Sequence, residues 1–253
     1  MLKSFLVINV LSDRRQLILR ALIEEYILRA MPIGSKTLVD NYDVDVSPAT
    51  VRNDLNFLEE CGFIVQPHTS AGRVPTQAGY REFVDQLFND EFTEEEENEF
   101  EPFVSQIKRS ANEIDSMLEE ISIQLSRMTE NISVISSKRN SYRLGHIAKR
   151  GLTSIIKQPE FHESKNLLPL MEILEDDTVL YRTLSASSEG NPLQVRIGNE
   201  NVDDKLSGVS VVTAKFGSSK DGGIVAVIGP IRMNYENVIK AVMEARSVLD
   251  SID

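Results

Sequence analysis

The densest hydrogen-bonding chemistry in this chain lies in Ser47-Pro48-Ala49-Thr50-Val51-Arg52-Asn53-Asp54. Ser followed by Pro marks a helix start. The hydroxyl can cap free backbone N–H groups, and proline's missing N–H costs nothing at the first helical position. Ser47 and those N–H groups can hold a phosphate. Val51 and Leu55 are spaced to face inward, which turns Ala49, Thr50, Arg52 and Asn53 outward. Thr50 and Asn53 can hydrogen-bond base edges, and Arg52 can reach a guanine or a phosphate. An ordinary surface helix could carry the same residues, because Ser-Pro caps are common. A second stretch, Gln66-Pro-His-Thr-Ser-Ala-Gly-Arg-Val-Pro-Thr76, places His68, Thr69, Ser70 and Arg73 on a short polar loop. A Gly-Arg tip on a hairpin can enter a minor groove, where negative potential favours Arg. The alternative is a solvated loop.

These stretches need elements to position them. Ser12 is spaced to cap a helix from Asp13 to Ala30, with an apolar stripe of Leu17, Ile18, Ala21, Leu22 and Ile27. Pro32 and Gly34 end it. Ser35 caps a short helix, Lys36 to Tyr42, and a four-residue turn leads to Ser47. Lys36 and Thr37 then lie beside the Ser47 helix and join the candidate contacts. That helix runs to about Cys61, with Gly62 as its left-handed terminator. Phe63 to Gln66 reads as a strand, Val74 as the start of a return strand, and Thr76 as the cap of a helix to Asn89. Three helices, a hairpin and a further helix form the layout of a winged helix-turn-helix.

Beyond it, Glu91 to Glu101 holds seven Glu in eleven residues. Then Phe100, Val104, Ile107, Ala111, Ile114, Leu118, Ile121, Leu125 and Met128 recur in steps of four and three. That is a heptad seam on a long helical arm. Two occupants fit it. Phe100, Val104, Ile107, Ile114, Leu118, Ile121 and Leu125 could pair with a second copy, or the stripe could lie on the chain's own C-terminal sheet. The last hundred residues read as α/β. Strands are expected at Ile132 to Ile135, Leu193 to Ile197, Val209 to Phe216 and Ile224 to Ile228. Helices are expected from Asn166 to Leu174, in a following segment to Leu184, and from Asn234 to Leu249. Gly229-Pro230 reads as a breaker.

Composition bounds the function. The chain has 253 residues and a net charge of −12, but residues 11–84 carry eight Lys/Arg against ten Asp/Glu. The N-terminal module is therefore near neutral, and any DNA contact needs local positive charge on one face. The single Cys61 excludes an internal disulfide and fits a cytoplasmic protein. No apolar run is long enough to span a membrane, and Phe5 to Val10 reads as an N-terminal extension. His68, His146, His162 and Cys61 have no metal-ligand spacing. Ser105-Gln-Ile-Lys108 has no partner motif, and Gly217-Ser-Ser-Lys220 lacks the spacing of a phosphate loop. No enzyme, metal or cofactor is expected.

Ser47 to Asp54, joined to Pro67-His-Thr-Ser-Ala-Gly-Arg-Val-Pro-Thr76 and Gly79-Tyr80, resembles the HrcA heat-inducible transcription repressors. The resemblance resumes in Gln158-Pro-Glu-Phe161, Leu174-Glu-Asp176, Ile197-Gly-Asn-Glu-Asn201 and Gly229-Pro-Ile-Arg-Met-Asn-Tyr235. It implies a repressor of chaperone operons that binds an inverted-repeat operator in double-stranded DNA as a homodimer, modulated by the chaperonin. It also implies a GAF-like C-terminal domain. Family members run longer. Here His146-Ile147 is followed almost at once by Gly151-Leu152, so the dimerisation insert and part of the GAF-like sheet are expected to be missing.

The expected architecture is therefore α+β and multidomain. A winged-helix DNA-binding domain spans 1–90, an acidic linker and heptad helix 91–131, and a truncated GAF-like regulatory domain 132–253. Two other functions fit the same pattern: a winged-helix repressor responding to a small ligand, or a winged-helix protein-interaction module without DNA binding.

Overall fold

The computed structural model describes residues 11–42, 44, 46–89, 114–140, 143–186, 193–217 and 222–251. The chain forms two compact units, Met1–Phe92 and Thr93–Asp253.

In the first unit, helices α1 (Asp13–Arg29), α2 (Ser35–Asn41) and α3 (Pro48–Glu60) precede a hairpin of β1 (Ile64–Val65) and β2 (Val74–Pro75), then α4 (Gln77–Asn89). Ala30 closes α1 in the left-handed conformation, with φ 52°. The inward face of α1 differs from the expected stripe. Ile18, Leu19, Ala21, Leu22 and Ile23 are buried, whereas Leu17 is exposed. Ser12 sits at the N-cap position without a side-chain capping bond. Gly34 rather than Ser35 precedes the first turn of α2. The start of α3 matches its sequence signature, because Ser47 Oγ accepts from the Thr50 N–H and Pro48 occupies the first turn. Gly62 follows with φ +82°, where a side chain would be strained. The hairpin pairs Ile64 with Pro75 and Val65 with Val74. Cys61 is half-buried at the end of α3, not in the core.

In the second unit, α5 (Ile114–Thr129) leads into β3 (Ile132–Asn140) and β4 (Arg143–Arg150). Helices α6 (Leu152–Ile156), α7 (Ser164–Glu175) and α8 (Asp177–Ser185) follow, then β5 (Leu193–Ile197), β6 (Val209–Phe216), β7 (Gly223–Pro230) and α9 (Tyr235–Asp250). The strands form one antiparallel sheet in the order β4-β3-β7-β6-β5. Alternation divides its two faces. Ile132, Val134, Val211, Ile224, Ala226 and Ile228 join Phe161, Leu170, Ile173, Leu180 and Leu184 in one core with α7 and α8. On the opposite side, α5 packs on β3 and β4, and α9 packs on β6 and β7.

Two sequence expectations change here. Arg143–Arg150 is a full edge strand, where the sequence predicts no element and part of the sheet was expected to be missing, and its pairing with β3 runs from Ser133–Arg150 to Asn140–Arg143. Glu119 of α5 ties down that strand, accepting from His146 Nε2 at 2.7 Å and pairing with Arg150. The strand β7 also continues through Gly229-Pro230, with Pro230 opposite Val209 at the sheet's end, where a missing N–H is tolerated.

The heptad stripe, over its described part, is internal. Leu118, Ile121 and Leu125 are buried within this unit. Of the two occupants that fit the stripe, the chain's own sheet is the one these three side chains meet. Phe100, Val104 and Ile107 lie outside the described residues, and of Ile114 only the backbone is described.

Several late motifs of the resemblance hold this unit together. Gln158 Nε2 donates to Glu130 O and Asn131 Oδ1. Glu160 Oε1 accepts from Arg232 Nε at 2.7 Å. Asn201 Nδ2 reaches the carbonyls of Gly198, Leu206 and Val209, each at 2.9 Å. Tyr235 OH donates to Ile231 O and lies 2.6 Å from Ser210 Oγ. These contacts give the motifs a structural reason that needs no ligand.

Candidate nucleic-acid interface

The outward face of α3 follows from its inward one. Val51, Asp54, Leu55 and Leu58 are buried, so a helical repeat of 3.6 residues leaves Ala49, Arg52, Asn53 and Asn56 exposed on the other side. Ser47 is exposed at the cap, and Thr50 is half-buried with its hydroxyl 3.1 Å from Ser47 Oγ. Lys36 is exposed in the first turn of α2, and Thr37 is half-buried. Among the described residues, no ion pair occupies Arg52 or Lys36. A groove of about 440 Å³ runs between the start of α2, the outer face of α3 and the hairpin loop, lined by Ser35, Arg52, Asn56, Thr69, Ser70 and Arg73 among others.

His68, Thr69 and Ser70 are exposed on the loop. Arg73 is not, and the expectation of a projecting Gly-Arg tip is corrected here. Arg73 bonds through its backbone N–H and carbonyl to Ile33, at 2.8 and 2.9 Å. Its guanidinium turns toward α3, where Nη2 donates to Asn56 Oδ1 at 2.9 Å and pairs with Glu59 Oε2 at 2.9 Å. Its side chain is only 14% exposed. The cause is local. Gly72 lies so close to Ile33 that a Cβ there would overlap the Ile33 backbone. This close approach holds the loop backbone beside Ile33, and Asn56 and Glu59 receive the Arg73 guanidinium.

Sequence reading missed the residues that hold α3 in place. Asp54 is buried and receives Arg14 Nε at 2.9 Å, Arg14 Nη2 at 3.3 Å and Arg15 Nε at 3.1 Å. Arg15 also stacks on Phe57, 3.6 Å from its ring centroid. Burial pushes the Asp54 carboxyl up, but the hydrogen bonds and charges of the two arginines outweigh it and hold its pKa below the ordinary value. Asn56, Glu59 and Gln66 were also missed. Gln66 Nε2 donates to the carbonyls of Thr69 and Ala71, bracing the loop from inside. The only sequence signal for Asp54 was its place on the apolar face at the Val51, Leu55 spacing.

A family model described as "HrcA protein C terminal domain" matches residues 78–239. The chain belongs to the HrcA family. A second model, "DeoR-like helix-turn-helix domain", matches residues 20–77, which include α2, α3 and the hairpin. Among relatives of the HrcA family, "Heat-inducible transcription repressor HrcA" of Natranaerobius thermophilus is 30% identical, over 94% of this chain and 96% of the relative. The protein of the same name from Halalkalibacterium halodurans is 26% identical over 92% and 95%. The first alignment runs over 332 positions against 253 residues here, so that HrcA relative carries segments with no counterpart in this chain. A crystal structure described as that of a hypothetical protein shares the fold, with a TM-score of 0.76 at 18% identity, over 96% of this chain and 100% of that one. No described helix is long and apolar enough to cross a membrane.

Proposed function

We propose that this chain is a DNA-binding transcription repressor of heat-shock chaperone operons. In this reading α3 enters the major groove of duplex DNA. Arg52, Asn53 and Thr50 face base edges, and Ala49 lies close to them. Ser47, Lys36 and Thr37 meet phosphates, and His68, Thr69 and Ser70 of the loop meet the neighbouring backbone. The observation that carries it is the row Ala49, Arg52, Asn53 and Asn56, exposed on a helix whose opposite face is buried.

The hairpin after α3 supports a winged helix-turn-helix spanning 1–90. The five-stranded antiparallel sheet with helices on both faces supports a GAF-like regulatory unit across 132–253, joined through the segment 91–131. An inverted-repeat operator requires a two-fold protein, so the chain acts as a homodimer in the cytoplasm, with the chaperonin as modulator.

In vitro selection from a random duplex pool tests the reading. The chain should enrich a sequence with two inverted half-sites. Enrichment of nothing, or equal binding to scrambled duplex, would remove it.

A further inference from the structure

The loop between β1 and β2 has too little backbone pairing to hold its own position. The ladder consists of two residue pairs, and an isolated hairpin is marginal in water even when longer. Beside the backbone bridge from Arg73 to Ile33, side chains hold it, and they converge on Glu59 in the last turn of α3. Glu59 Oε1 accepts from the Gln66 N–H at 2.9 Å, where the chain leaves β1. Glu59 Oε2 pairs with Arg73 Nη2 at 2.9 Å, where the chain returns toward β2. One carboxylate thus spans both ends of the loop. Arg73 extends the tie to Asn56 on α3 and, through its backbone, to Ile33 before α2.

We propose that Glu59 is a positioning residue for DNA binding: it holds both ends of the loop against α3, so that helix and loop can meet one duplex together. The proposal rests on the DNA-binding reading above. Charge gives it a distinctive sign. An acid beside a DNA-binding face repels phosphate, so removing it should by Coulomb's law alone tighten binding. A positioning acid behaves in the opposite way, because its loss releases the loop. Arg73 acts through the same tie. Its charge is matched by Glu59, so it adds little to the count of phosphates neutralised.

The test uses the full chain, a duplex selected by the wild-type protein, and the variants Glu59→Ala, Glu59→Gln, Arg73→Ala and Glu59→Ala/Arg73→Ala. Circular dichroism melting first establishes that each is folded at the binding temperature. Glu59→Ala should bind roughly tenfold more weakly, the size of a lost charge-assisted hydrogen bond. Glu59→Gln keeps an acceptor for the Gln66 N–H and should recover part of that loss. The double variant should bind no worse than the weaker single variant, because both residues serve one tie. The salt dependence of Arg73→Ala should equal that of wild type.

Tighter binding by Glu59→Ala or Glu59→Gln would overturn the proposal, as would losses that add. A fall of about 0.9 in the salt slope of Arg73→Ala would make Arg73 a phosphate contact instead. Amide exchange without DNA covers the case of a variant too unstable for binding work. Exchange at residues 66–73 should quicken in Glu59→Gln while the amides of α1 and α4 stay protected, and unchanged loop exchange would overturn the tie. If wild type binds no duplex, the DNA-binding reading fails by itself, and the exchange comparison still decides whether Glu59 holds the loop.

Discussion

Arg14 Nε lies 2.9 Å from Asp54 Oδ2, joining the first turn of α1 to the middle of α3 across 40 residues of sequence. Arg15 completes the clamp from the same turn. The orientation of α3 is thus set from its buried side. The carboxylate is 4% exposed and the two guanidinium side chains 48% and 29%, so water screens the pair only on the arginine side.

Asp54→Ala should destabilise the first unit by about 2 kcal/mol, the range of hydrogen bonds to a charged group discounted for the exposure of Arg14. Because the folded-state pKa of Asp54 is depressed, its contribution is present above the unfolded value of about 3.9 and is lost as pH falls through the folded value. Wild type should therefore lose melting temperature below about pH 4, and Asp54→Asn should lack that component. Parallel pH–melting curves for the two proteins would show that the clamp contributes nothing.

Arg52→Ala should lose roughly 1–3 kcal/mol of specific binding and relax sequence choice at one position of each half-site. Its stability should match wild type, since Arg52 is exposed. Competition between the selected duplex and single-base variants measures this. A uniform loss across all sequences would move Arg52 from base reader to phosphate contact.

Gly72→Ala places a methyl group against the Ile33 backbone, and neither segment can yield without breaking the Ile33–Arg73 bridge. The loop should be displaced while α1, α3 and α4 stay folded. Duplex binding should fall several-fold with little change in melting. Wild-type affinity in this variant would mean that the loop does not touch DNA.

Ile121 is fully buried between α5 and its own sheet, so Ile121→Asp should unfold the second unit. An unpaired buried carboxylate costs several kcal/mol. Sedimentation combined with circular dichroism separates the outcomes. A folded monomer would show that this stripe is the pairing surface after all.

What the sequence determined by itself was whatever depends on neighbours in the chain. The Ser47-Pro48 cap, the Gly62 terminator and the strands Leu193–Ile197 and Val209–Phe216 stand where caps and apolar runs put them. So does the exposed row of α3, because helical period follows directly from the spacing of Val51, Leu55 and Leu58. Tertiary structure decided the rest. Arg143–Arg150 carries too many polar residues to announce a strand, and it becomes one because β3 offers an unpaired edge. The heptad pattern marked an apolar stripe but not its partner, since a sheet and a second helix bury Leu118, Ile121 and Leu125 equally well. Arg73 and Asp54 show the same limit. Their charges were visible, but their directions depend on Glu59, Asn56, Arg14 and Arg15, which only folding brings within hydrogen-bond reach.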